Sequence, residues 1–115
     1  MRAQQNKIMK YTEKQIEKFK IIPTGEIYEY KYFCFADVSY IVMNGKLFGY
    51  QYEDLSESKK WFTIFFDSNM EDKLQLPEGS HFGEDCIYCR SVEVAKELCI
   101  IISKLEFSEK LISVQ

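Results

Sequence analysis

The sequence predicts a single α+β domain spanning residues 1–115: a mainly antiparallel sheet of about five strands, a short N-terminal helix at one edge, and a C-terminal amphipathic helix on one face. Three observations carry this expectation. Thirteen of the eighteen aromatic residues fall between Tyr28 and Phe66, in strand-like runs separated by turn residues. Asn44-Gly45 divides two of those runs, and this dipeptide readily supplies the positive φ angles of a tight hairpin turn. From Ser91 onward the apolar positions change to helical spacing.

Along the chain, Thr12 caps the amide of Gln15 and Tyr11 staples against Ile16, predicting a helix to about Lys20 that Pro23 and Gly25 end as the sheet begins. Residues 26–36 alternate as one strand, with Tyr28, Tyr30, Tyr32 and Cys34 on one side. Residues 38–43 and 46–52 flank Asn44-Gly45, and a two-residue turn sets Val42 opposite Leu47, Ile41 opposite Phe48 and Ser39 opposite Tyr50. The almost wholly apolar run 61–66 predicts a central strand buried on both faces. Residues 67–85 are the least regular part. A helical turn is expected near Met70 to Lys73, and a chain reversal at Pro77-Glu78-Gly79-Ser80. Cys86-Ile87-Tyr88-Cys89 reads as a short strand, and Ser91 as the N-cap of a helix whose stripe is Val94, Ala95, Leu98, Cys99, Ile102 and Leu105. Residues 107–115 either extend this helix or form a closing edge strand.

Composition narrows the functional classes. Neither a signal-peptide run nor a stretch near the roughly 18 apolar residues of a membrane helix is present, so a cytoplasmic location, no membrane association and reduced thiols are expected. The net charge of −3 is unevenly distributed. Residues 1–20 carry six basic and two acidic groups, whereas residues 53–85 carry nine acidic and three basic. An acidic chain repels phosphate backbones and attracts cationic partners.

Each candidate chemistry meets a simpler structural reading. Cys86-x-x-Cys89 precedes the helix instead of opening it, and Ile87-Tyr88 favours extended backbone, which sends the two thiols to opposite faces and disfavours a redox pair. A metal site would take His81 with these cysteines and Cys34 or Cys99, but a second close-spaced ligand pair is missing, and four small buried hydrophobes account for the thiols better. His81 is the only histidine and has Glu84 and Asp85 nearby, yet no nucleophile is tied to it. Tyr28, Tyr30 and Tyr32 with Lys31 suggest base stacking, but basic residues are too sparse for a groove along a phosphate backbone, so nucleic-acid binding is not expected and the aromatic face should pack beneath a helix. The acidic residues Glu71, Asp72, Glu78, Glu84 and Asp85 lack calcium-loop spacing and suit a basic protein surface.

In general character, as a small acidic α+β domain without a catalytic set, the chain resembles bacterial immunity and inhibitor proteins. The resemblance rests on overall style and not on any motif. It implies a non-catalytic, cofactor-free protein-binding module that neutralises a basic enzyme such as a nuclease toxin, with Glu71, Asp72, Glu78, Glu84 and Asp85 meeting the partner. The alternative is a small enzyme or metal-binding protein centred on His81, Cys86 and Cys89.

Overall fold

Asn44 and Gly45 take φ angles of 53° and 77°, a conformation that Asn and Gly tolerate better than other residues, and reverse the chain in two residues. This turn lies within a computed structural model that describes residues 18–114. It joins strand β2 (Cys34–Met43) to β3 (Lys46–Asp54). With β1 (Lys20–Lys31), β4 (Lys60–Phe65), β5 (Ser80–Phe82) and β6 (Cys86–Cys89), they form one sheet in the order β1-β2-β3-β4-β6-β5. Every neighbouring pair is antiparallel. A 3₁₀ helix, Ser68–Lys73, interrupts the β4–β5 connection, with Asp67 as its cap. Helix α1 (Val92–Val114) follows β6 and is capped by Ser91, whose Oγ accepts from the Val94 amide at 3.1 Å.

Several expectations are corrected. Residues 12–17 of the helix expected to about Lys20 lie outside the described residues, while Lys18 and Phe19 are not helical and Lys20 opens β1. Pro23 sits within β1, an edge strand where a missing N–H is tolerated, and the pairing shifts between Pro23 and Ile27. Residues 26–36 are two strands instead of one, because Tyr32 and Phe33 make a turn without glycine or asparagine, Phe33 taking φ 59°. The sheet has six strands and not about five, because β5 forms within the segment 67–85 that reads as irregular. Past Val42 opposite Leu47, a bulge moves β3 by one residue, so Ile41 faces Gly49 and Tyr40 faces Tyr50. The bulge leaves Phe48 in the core and turns Tyr50 to the opposite face, where the unshifted register would have buried it. Residues 107–114 continue α1.

The core lies on one side of the sheet. Ile41, Met43, Phe48, Phe62, Ile64, Ile87 and Cys89 meet Ala95, Leu98, Cys99 and Ile102 of α1, with Met70 and Leu74 closing one end. Each fully buried Leu or Ile contributes about 1.5–3 kcal/mol. β4 is central, as expected, but its faces are covered unequally: Phe62 and Ile64 are fully buried on the core side, whereas on the other Thr63 is buried, Trp61 half-buried and Phe65 exposed.

Gly49 shows how closely β3 and β4 approach on the core side. A Cβ there would lie 1.9 Å from the Thr63 carbonyl oxygen, and backbone cannot move aside. Gly49→Ala is expected to lower stability by at least ~3 kcal/mol in urea unfolding. Ser103 gives the opposite sign. Its buried Oγ has no partner among the described residues, so Ser103→Ala is expected to raise stability by about 1 kcal/mol through removal of a desolvated hydroxyl and better helix propensity.

Candidate functional site

Strand alternation sends Tyr28 and Tyr30 of β1, Tyr40 of β2, Tyr50 and Tyr52 of β3, Trp61 and Phe65 of β4 and Tyr88 of β6 to the face opposite α1. No described helix lies over this face, which corrects the expectation that the aromatic face packs beneath one. The rings cover one another instead. Tyr52 stacks on Trp61 at 5.1 Å and 14°, Tyr28 lies 5.3 Å from Tyr52, and Tyr30 meets Trp61 edge-on at 4.8 Å. In a flat sheet β1 and β4 would stand about 14 Å apart. The Tyr30–Trp61 contact therefore requires β1 to lean across the face, and the register shifts between Pro23 and Ile27 and between Glu29 and Lys31 provide the bend.

Asp54 anchors this lean. Its carboxylate accepts from the Tyr30 hydroxyl, from the Ser56 amide and hydroxyl at 2.7 Å each, and from the Glu57 amide at 3.0 Å. The Ser56 hydroxyl, followed by the Glu57 and Ser56 amides, holds the Asp54 pKa below its ordinary 3.8. One carboxylate thus closes the turn over residues 55–59 and fixes β1 to β3. Beside it opens a solvent-facing cleft of about 430 Å³, walled by Tyr30, Trp61 and Tyr88 and edged by Lys31, His81 and Arg90.

A second uncovered surface lies on the α1 side of the sheet, beyond the reach of the helix. There Ile27 pairs with Asp37, Asp37 with Glu53, and Glu53 with Lys60, while Glu29 pairs with Phe35. Ile27, Phe35 and Leu55 are exposed, and at the turn Tyr32 and Phe33 are 91% and 84% exposed. Nothing in the sequence pattern marked this arm, because its side chains share the alternation that buries their neighbours further along the same strands.

The acidic residues singled out from sequence are all exposed, but they occupy three segments: Glu71 and Asp72 on the 3₁₀ helix, Glu78 in the turn before β5, and Glu84 and Asp85 in the turn before β6. His81 and Cys86 belong to the aromatic face, where His81 stacks on Tyr88 at 5.7 Å and 28°, whereas Cys89 points into the core. Among the described residues no three His, Cys, Asp or Glu side chains converge to hold a metal ion. Burial pushes the Cys99 thiol up to about 12 and raises Cys89 as well. Cys34 and Cys86 are only half-buried, contrary to the expectation of four buried thiols. No described helix is long and apolar enough to cross a membrane. Comparison with protein-family models, with curated proteins and with solved structures gave no match.

Two expected outcomes follow from this geometry. Asp54→Asn lowers the urea midpoint at neutral pH. Because the folded-state pKa is depressed, the carboxylate stabilises the fold above pH 3.8 and loses that contribution as pH falls through the folded value, so the gap between wild type and variant narrows below pH 3.8. In a thiol-labelling time course on the native protein, Cys34 and Cys86 react while Cys89 and Cys99 stay unmodified until denaturant is added.

Proposed function

We propose that the protein is a non-catalytic binding module that neutralises a basic protein, such as a nuclease toxin, by stoichiometric association. The observation that carries this reading is the uncovered arm of the sheet. Its exposed apolar residues Ile27, Phe33, Phe35 and Leu55 lie among Glu29, Asp37 and Glu53, with Lys60 the one cation in that cross-strand row. An apolar centre with an acidic surround suits a partner that presents apolar pockets ringed by Lys and Arg.

The turn at Tyr32 and Phe33 adds weight. A bulky residue at φ 59° carries a strain of order 1–3 kcal/mol, and the two exposed rings of the turn meet edge-on at 5.9 Å. Aromatic anchors of this kind carry much of the energy in protein interfaces. Glu71, Asp72, Glu78, Glu84 and Asp85, exposed over three segments, contribute long-range attraction to the same basic partner.

The two roles separate kinetically. With the partner recovered by tagged pull-down from the native cell, neutralising Glu71, Asp72, Glu84 and Asp85 together is expected to slow association at low salt and flatten its salt dependence, with dissociation little changed. Phe33→Gly is expected to raise stability by about 1 kcal/mol, since glycine relieves the positive φ, while accelerating dissociation by tenfold or more. A partner without basic character, or an unchanged dissociation rate for Phe33→Gly, contradicts the proposal.

A further inference from the structure

The cleft on the aromatic face is built differently from the arm. Its lining carries three cations, Lys31, Lys59 and Arg90, against two carboxylates, Asp54 and Glu57. Asp54 is fully engaged by Tyr30, Ser56 and Glu57, and Glu57 is paired with Lys59 at 3.1 Å. Of the remaining charged side chains lining the cleft, Lys31 lies 5.9 Å from the Tyr30 ring, and the Arg90 guanidinium has neither an ion pair nor a hydrogen bond among the described residues. Both are cations, in a chain whose net charge is −3. The walls are aromatic: Trp61 turns one face to Tyr52 and meets Tyr30 edge-on, and Tyr88 carries His81 stacked upon it. At about 430 Å³ the volume falls within the range of small-molecule sites, and a few convergent polar groups among aromatic walls are their usual composition.

We propose that this cleft binds a small planar molecule bearing an anionic group, its ring against Trp61 and Tyr30 and its phosphate or carboxylate on Arg90 with Lys31. Guanidinium suits either oxyanion through paired N–H donors, and aromatic walls favour a flat ring over an aliphatic body. The cleft opens on the side of the sheet opposite the protein-binding arm, and the two share β1 and the turn after β3.

Trp61 is the only tryptophan in the chain, so its fluorescence reports occupancy of the cleft directly. The full-length protein is titrated with adenosine 5′-monophosphate, uridine 5′-monophosphate and 4-hydroxyphenylacetate as ring-bearing anions, and with adenosine and inorganic phosphate as separated halves. Calorimetry serves as a second readout. Saturable quenching by one or more of the ring-bearing anions, at concentrations at least tenfold below those at which adenosine or phosphate acts, is expected. Which anion binds decides between phosphate and carboxylate as the recognised group. Arg90→Gln, an exposed position whose variant is checked for native circular dichroism, is expected to weaken that binding about tenfold or more. Absence of saturable binding by all three anions up to millimolar concentration overturns the proposal, as does equal affinity for adenosine or equal affinity of the Arg90→Gln variant.

Discussion

The one α-helix among the described residues cannot cover six strands. The packing of α1 against β4, β6 and the near halves of β2 and β3 creates most of the core, and its extent decides which aromatic and aliphatic side chains stay in contact with water. Ile41 and Phe62 are buried because Ala95, Leu98, Cys99 and Ile102 reach them. Ile27 and Phe35 share the same side of the sheet and are exposed because no part of the helix extends over them. On the opposite face the protein meets the same shortage by another route. There the rings shelter one another, and Asp54 holds β1 across them through Tyr30.

That division gives the molecule two surfaces of different chemistry. The arm is apolar with acidic surroundings and carries a strained aromatic turn, whereas the cleft is aromatic with cations at its edge. Their common origin is the pleat: successive residues of the β1 and β3 ends point alternately to the two sides, so Tyr28 and Tyr30 enter the ring cluster while Ile27 and Glu29 face the arm.

Most local structure was legible from residue chemistry. Asn44-Gly45 demanded a turn, Ser91 a cap, and Pro77-Glu78-Gly79-Ser80 a reversal, because each has a short-range physical reason that needs no tertiary context. The helical turn near Met70 and the separation of Cys86 from Cys89 followed in the same way. The misses depend on contacts remote in sequence. The turn at Tyr32 and Phe33 carries no turn residue, and the β3 bulge follows from the need to bury Phe48 while turning Tyr50 outward. Which face α1 chooses was equally hidden, since aromatic residues populate both sides of the strands and periodicity is blind to which side a remote helix will occupy. The acidic residues were visible as a composition bias, but their dispersal over three segments only the fold could show.

The central claim is that the arm left uncovered by α1 is the surface on which a partner docks. Hydrogen–deuterium exchange on the full chain, free and in complex with the copurified partner, tests it most directly. Slowed exchange over residues 26–37 and 53–57, with residues 92–106 of the helix unchanged, is the expected footprint. Protection confined to the helix, or an arm that exchanges equally fast in both states, would contradict it.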